Sequence, residues 1–200
     1  GNADITLRST TDTGDFILIP ANVNEKGKTE YRNTLLDQFI MIEFLTPTGV
    51  AVLDGIQKFA GSYPLYYNVA GIRITHVDTR LGLWTYDNQG NTSFAGYTIQ
   101  TSTSVSNSTV DFAADNTANR SAFKNFKLLE VLPSNGKMIK QVGSASSETL
   151  FQTGAIFGKT VWDNFKFNDR SGGKTVDFNF TIEIGEIVGN ESAQIKIRVK

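Results

Sequence analysis

The sequence predicts an all-β protein, an antiparallel β-sandwich with long loops and one or two short helices. Apolar and polar residues alternate with a period of two over much of the chain, as in strands that bury one face. Clusters of Gly, Pro, Asn, Asp and Ser divide these stretches at short intervals, and few segments show a helical repeat. The pattern does not distinguish a jelly-roll from an immunoglobulin-like sandwich.

The length and composition indicate one domain with a substantial core. Of the 200 residues, 40% are hydrophobic and 14 are Phe. A chain of this size buries roughly 70% of its unfolded surface, so it needs no disulfide or metal to fold. We expect a single domain over residues 1–200. The polar stretch 101–120 leaves open two small β domains divided there, although Val105, Val110 and Phe112 favour a decorated loop or an edge strand.

The candidate strands are short apolar or alternating runs separated by turn sequences, of which residues 133–136 (Pro-Ser-Asn-Gly) are typical. In chain order they cover residues 4–8, 15–19, 39–45, 50–56, 65–69, 72–77, 81–86, 97–101, 127–132, 138–142, 161–167, 175–184 and 193–200.

The last two candidates form the clearest pair. In residues 175–184 the side chains of Val176, Phe178, Phe180, Ile182 and Ile184 share one face, and their neighbours on the other face are polar. A turn at Gly189–Asn190 leads into 193–200, whose outer face is basic. An antiparallel hairpin with opposite charges across it is the predicted arrangement. Short helices are predicted at 117–126 and 34–38.

Charge and composition exclude several classes of function. The net charge is −1, and basic residues are interspersed with acidic ones, so we expect no nucleic-acid partner. No apolar run approaches the ~18 residues of a transmembrane helix. With no Cys and a single His, His76, we expect no transition metal and no cofactor. Calcium at the oxygen-rich loops of Asp87 or Asp163 stays open.

The motifs of common enzymes are incomplete. Three Gly-Lys-Thr tripeptides begin at Gly27, Gly158 and Gly173, but each lacks the glycine that a P-loop places five residues earlier. Ser121 and Lys124 have the Ser-x-x-Lys spacing without its companion elements. The 20 acidic residues still allow a carboxylate pair of the glycosidase type, which the sequence does not locate.

Aromatic residues give the best candidates for a binding site. If 161–167 is a strand, its apolar residues face the core, and Trp162 lies on the solvent-exposed face with Asn164 and Lys166. An exposed indole between an amide and an amine suits stacking on a sugar ring. Trp84 and Tyr86 form a second candidate pair. The alternative for both sites is that the rings pack in the sandwich.

The chain resembles small exported lipoproteins of gut Bacteroidetes, many of unknown function. The resemblance covers the polar start at 2–4, the strand-like run 38–44, and 52–56 after a turn. Mature chains of that group often begin just after a lipid-bearing cysteine. The resemblance therefore implies an exported protein at the cell envelope or outer surface, with a lipid anchor preceding Gly1 and a role near polysaccharide.

These observations favour a non-enzymatic, surface-associated binding module, with a glycan or another surface protein as its partner. A structural or assembly subunit of the pilus type is an alternative, which an unpaired edge strand would favour. A glycan hydrolase or lyase that uses carboxylates is a lesser alternative, which two carboxylates in one cleft would favour.

Overall fold

Antiparallel strands make up most of the regular secondary structure in the described residues, which confirms the predicted all-β class. The structure is a computed structural model that describes residues 1–21, 38–58, 65–78, 81–86, 89, 92–98, 104–105, 108–111, 129–168 and 175–200. Within these ranges, no helix has the length and apolar character needed to cross a membrane.

The described residues contain fourteen strands, named here in chain order: β1 (Ala3–Arg8), β2 (Phe16–Pro20), β3 (Gln38–Leu45), β4 (Gly71–Asp78), β5 (Leu81–Tyr86), β6 (Thr92–Thr98), β7 (Ser104–Val105), β8 (Ser108–Asp111), β9 (Leu129–Val131), β10 (Ile156–Phe157), β11 (Lys166–Asn168), β12 (Thr175–Asp177), β13 (Phe180–Val188) and β14 (Ser192–Val199). The short helices are α1 (Thr10–Thr13), α2 (Val52–Ile56) and α3 (Ile139–Val142), with 3-10 turns at Gly49–Ala51 and Ser147–Thr149.

Two four-stranded sheets share one hydrophobic core. The first sheet has the order β1-β14-β13-β10 and the second β2-β3-β4-β9. Alternation explains which residues meet between them, since every second residue of a strand points to the same face. Ile182, Ile184 and Ile195 of the first sheet and Ile42 and Ile74 of the second are fully buried in one cluster. The arrangement is sandwich-like.

The C-terminal hairpin has the predicted form. β13 pairs with β14 so that Ile182 opposes Ile197, and Glu183 opposes Lys196. The Lys196 Nζ lies 3.0 Å from the Glu183 carboxylate, so opposite charges do face each other on the outer surface. The continuous strand expected over 175–184 is instead divided into β12 and β13, and the buried Phe178 lies in the break.

Strand β3, one of the two inner strands of the second sheet, is largely buried on both faces. On the inner face, β3 contributes Ile40, Ile42 and Phe44, which have no exposed surface. On the outer face, Glu43 is 7% exposed and accepts two hydrogen bonds from Arg73 on β4, at 2.8 and 2.9 Å. A buried carboxylate needs such a partner, because taking its charge out of water alone would be costly.

A third sheet has the order β6-β5-β8-β7. It includes residues 104–105 and 108–111 from the polar stretch that the sequence left open as a domain boundary. Those residues are strands paired to each other and, through β8, to β5. The number of domains stays a prediction.

Besides the divided 175–184, four predicted strands are wrong in whole or part. Most of residues 50–56 form a 3-10 turn followed by α2. Val50, Leu53 and Ile56 are exposed, so these apolar side chains do not pack in the core. A short apolar run without alternation fits a helix as well as a strand. Residues 138–142 instead hold α3, where the Gln141 side chain accepts from the Met138 N–H at 3.0 Å.

The other two corrections concern loops. Residues 65–69 form no strand. The Ser147 Oγ accepts hydrogen bonds from the N–H groups of Asn68 and Val69, at 2.9 and 3.2 Å. In 161–167 only the last two residues belong to a strand, β11. The predicted helix 117–126 lies outside the described residues, as does 34–38 except for Gln38, which begins β3.

Candidate functional site

A cavity of about 720 Å³ opens at the side of the sandwich, next to the edge strand β9. Two loops and residues of four strands line it. One loop follows β9 and the other connects β10 to β11. The lining residues are His76, Glu130, Leu132, Ser134, Asn135, Gly136, Met138, Thr160, Val161, Trp162, Asp163, Asn164, Phe165, Lys166 and Thr175.

The sheet contributes a histidine and a carboxylate that lie side by side. His76 on β4 pairs in register with Glu130 on β9, so the two side chains project from the same face. His76 follows Ile72 and Ile74 on the core-facing side of β4 and is buried. The His76 Nδ1 lies 3.9 Å from the Glu130 carboxylate, which is beyond direct hydrogen-bonding distance.

The other ring nitrogen of His76 is turned into the protein. Its Nε2 lies 3.1 Å from the Gln38 Oε1. The ring makes an edge contact with Phe165 and a tilted contact with Phe167, at 5.4 and 5.7 Å between centroids. With Nε2 held by an amide oxygen, that nitrogen is unavailable to activate a serine. A Ser-His-acid triad through His76 Nε2 therefore does not fit this geometry.

The loop after β9 begins with a tight turn. Gly136 donates its N–H to the Pro133 carbonyl at 3.0 Å and has a φ of 71°, which favours glycine. The Asn135 Oδ1 accepts from the Lys137 N–H at 3.0 Å, a bond typical of turn asparagines. This turn brings Ser134 and Asn135 to the cavity.

Trp162 forms the aromatic wall of the cavity. It is half-buried and packs partly against the core. Its indole N–H donates to the Pro133 carbonyl at 2.7 Å, which ties the two cavity loops together. The backbone φ of 55° places Trp162 in the left-handed region, unusual for a bulky residue. The strand that was predicted to expose it is therefore a turn, closed by the Phe165 N–H donating to the Trp162 carbonyl at 3.0 Å.

Asn164 and Lys166, the predicted companions of Trp162, line the same cavity. Asn164 is exposed and donates from Nδ2 to the Asp163 carboxylate at 3.1 Å. Lys166 begins β11, and its ammonium lies 2.8 Å from the Asp177 carboxylate on β12. The hydrogen bond and charge of Lys166 lower the pKa of Asp177. The turn, with Trp162 and Asn164, and the first residue of β11, Lys166, thus bring the three predicted residues to one cavity without the continuous strand that was expected.

The second predicted pair, Trp84 and Tyr86, lies on β5. The backbone there pairs Trp84 with Phe94 and Tyr86 with Thr92, next to an irregularity between Leu83 and Trp84. For Trp84 and Tyr86 the structure describes only this backbone pairing, so their role in ligand binding stays a prediction.

The described part of the chain holds no group of three or more His, Cys, Asp or Glu that could hold a metal ion. Of the two loops left open for calcium, the one at Asp87 lies outside the described residues apart from Gln89. Asp163 lies in the cavity turn and accepts from Asn164.

Several cavity residues were not singled out by sequence reasoning. Glu130 sits in a strand of three residues, and nothing in the local pattern distinguishes it from other strand acids. The turn 133–136 was recognised by its Pro, Asn and Gly, but its position opposite Trp162 depends on long-range packing. His76 entered the sequence analysis only as the single histidine, and the structure shows it buried on the core-facing side of β4.

Comparison with known proteins assigns no family to this chain. No protein-family model, no curated protein and no solved structure matches it. A function must therefore be inferred from the chemistry of the cavity.

Proposed function

We propose that the protein is a non-enzymatic binding module of the cell envelope and that its cavity binds a carbohydrate. The observation that carries the proposal is the composition of the cavity wall. The lining includes the indole of Trp162, the amide side chains of Asn135 and Asn164 and the hydroxyl of Ser134. That hydroxyl donates to the Glu148 carbonyl and can still accept a hydrogen bond.

Each part of this wall matches a part of a sugar. The C–H groups of a pyranose ring form an apolar surface, which an aromatic face can cover. The ring hydroxyls both donate and accept hydrogen bonds, as asparagine amides and side-chain hydroxyls also do. A cavity of about 720 Å³ falls within the range of ~300–1,000 Å³ that small-molecule sites occupy.

The half-buried state of Trp162 supports this use. Its N–H is held by the Pro133 carbonyl, so the indole is fixed before a ligand arrives. A ring held in place loses little conformational entropy on binding, and preorganisation of this kind raises affinity. The envelope location belongs to the same proposal and rests on the resemblance of residues 38–56 to exported lipoproteins.

Titration calorimetry against a panel of mono- and oligosaccharides tests the proposal. Asn164→Ala should weaken binding about tenfold, because it removes direct hydrogen bonds to the ligand. Asn190→Ala is the matched control: Asn190 is an exposed turn residue between β13 and β14, and its loss should leave the affinity unchanged. Absence of binding across the panel at millimolar concentration, or equal affinity of the two variants, would contradict the proposal.

A second candidate function is supported by a separate observation. Two carboxylates, Glu130 and Asp163, line the same cavity. Glycosidases use two carboxylates, one as acid and the other as nucleophile or base, at ~5–5.5 Å in retaining enzymes and ~6.5–9.5 Å in inverting ones. The cavity thus also carries the residue types of a glycan hydrolase or lyase.

Release of nitrophenol from aryl glycosides distinguishes the two functions. A hydrolase should lose its activity in both Glu130→Gln and Asp163→Asn, with sugar binding retained. Binding without turnover in the unmodified protein supports the binding module instead.

A further inference from the structure

We infer that the cavity selects a saccharide that carries an acetamido group. This inference rests on the proposed carbohydrate-binding function and specifies the chemical class of the ligand. It follows from the division of the lining into a more buried apolar part and an exposed polar rim, and from the hydrogen bonds that the lining side chains already make.

The more buried part of the lining is largely apolar. Leu132 is 1% exposed, and Met138, Val161 and Phe165 are half-buried. A Cβ placed on Gly136 would lie 3.6 Å from the Val161 Cγ1, so the two cavity loops are in close contact there. A small apolar group of a ligand would leave water on contact with these side chains, which is favourable.

Several polar side chains of the lining already have partners. The Trp162 N–H is held by a backbone carbonyl at 2.7 Å. The Thr160 hydroxyl donates to one backbone carbonyl at 3.0 Å and accepts from one backbone N–H at 3.2 Å. His76 and Glu130 also have partners within the protein. A ligand that placed only hydroxyls against this surface would leave some of them unpaired, at a cost in free energy.

The rim provides two amides, Asn135 and Asn164, which are both exposed. The Asn135 Oδ1 accepts from the Lys137 N–H at 3.0 Å, which leaves its Nδ2 as a donor for a ligand. Asn164 donates from Nδ2 to Asp163 at 3.1 Å, which leaves its Oδ1 as an acceptor. Together the two side chains offer one donor group and one acceptor, as an amide of the ligand requires.

An acetamido group matches both parts of the lining. Its methyl group suits the apolar part, its N–H can donate to the Asn164 Oδ1, and its carbonyl can accept from the Asn135 Nδ2. The group is neutral, so it needs no free charge at the rim, where the Lys166 ammonium is already paired with Asp177 at 2.8 Å. The sugar ring that carries it can still stack on the indole of Trp162.

Calorimetry with three matched trisaccharides at neutral pH tests the inference. The probes are trimers of N-acetylglucosamine, glucosamine and glucose with the same linkage, which differ only in the substituent at the second carbon of each ring. The acetylated trimer should bind about tenfold or more tightly than the other two. Because the acetamido group is neutral, its advantage over the hydroxyl of the glucose trimer should not change with salt concentration.

Variants connect the preference to its residues. Asn135→Asp keeps an oxygen that accepts from Lys137 and removes the Nδ2 donor, so it should bring the affinity for the acetylated trimer close to that for the glucose trimer. Val161→Thr has nearly the same shape but replaces a methyl group by a hydroxyl, so it should also reduce the preference, and it provides a second readout if Asn135→Asp disturbs the turn. Asn190→Asp makes the same change at an exposed turn outside the cavity lining. It is the matched control and should keep the full preference.

The outcomes separate the inference from the function beneath it. Equal binding of the acetylated and glucose trimers, or tighter binding of the glucosamine trimer, would overturn the acetamido preference and leave carbohydrate binding in place. A preference that survives both Asn135→Asp and Val161→Thr would also overturn the inference, since these residues are its basis. If none of the trimers nor any other sugar binds, the proposed function itself fails.

Discussion

Phe178 links the core to the cavity at the level of single residues. Phe178 lies in the chain between β12 and β13 and is 2% exposed. It contacts Phe157, Phe165 and Phe167 at 5.5–5.7 Å between centroids. Phe165 and Phe167 also touch His76. One aromatic cluster therefore supports the inner side of the cavity and belongs to the core of the sandwich.

Replacing Phe178 with Ala should destabilise the protein by ~3–5 kcal/mol, because the substitution removes buried surface and leaves a cavity among the surrounding rings. Chemical denaturation followed by circular dichroism measures the change. Phe16→Ala is the control: Phe16 is 53% exposed and should cost less than ~1 kcal/mol. Similar losses in the two variants would show that Phe178 does not hold the core together.

Among elements, the loop between β10 and β11 has the most demanding geometry. The Gly158 N–H donates to the Val161 carbonyl at 2.8 Å, and the Thr160 N–H donates to the Ile156 carbonyl at 3.0 Å. Gly158 has a φ of 79°, and a Cβ there would lie 2.7 Å from the Phe180 carbonyl oxygen. This close approach to β13 fixes the position from which the chain continues to Trp162.

Alanine substitutions at two glycines, one on each side of β10, distinguish the free-energy cost of backbone strain from the cost of a steric clash. Gly154 has a φ of 88°, and a Cβ at this position would contact no other atom within 4 Å. Gly154→Ala should therefore lower the free energy of unfolding by ~1–2 kcal/mol through the left-handed backbone conformation alone. Gly158→Ala should cost a further ~1–3 kcal/mol, because the backbone of β13 must also move. Denaturation midpoints compare the two variants. Equal losses would mean that the contact with Phe180 relaxes freely.

The elements also show where sequence patterns were sufficient. β13 and β14 were predictable because one face is buried, and a register slip would expose every isoleucine on it. The turn at Trp162 was not predictable in this way, because the apolar residues around it alternate as in a strand. The turn-forming residues Asp163 and Asn164 gave the opposite signal. Trp162 and Asn164 were chosen as site residues on the basis of a wrong local structure. Glu130 was missed because only the pairing of β9 with β4 brings it beside His76.

For the molecule as a whole, the order of the sheets places β1 at the outer end of the first sheet, where it pairs with β14 alone in the described residues. Ile5 opposes Ile195, and Leu7 opposes Ala193 and is 3% exposed. The outward residues Asp4 and Arg8 carry charge, which protects an edge strand from pairing with other chains. The N-terminal strand thus completes the core and closes one side of the sheet.

Deleting residues 1–8 tests this role and bears on the alternative of an assembly subunit. The truncated chain should lose several kcal/mol of stability, because it gives up the burial of Leu7 and the backbone pairing of β14. A synthetic peptide of residues 1–8 should restore stability by adding a strand to the open edge. If the truncated chain does not fold alone, refolding with and without the peptide provides the readout.

A peptide with Ile5→Lys and Leu7→Lys is the control for this complementation. It keeps the backbone donors and acceptors but cannot bury charged side chains against Ala193 and Ile195, so it should restore nothing. Rescue by both peptides would mean that backbone pairing alone is sufficient. A truncated chain that unfolds at the same denaturant concentration as the full chain would refute the role of β1. If it instead forms dimers or longer assemblies in size-exclusion chromatography, the β14 edge can recruit a strand from another copy, as strand exchange between assembly subunits requires.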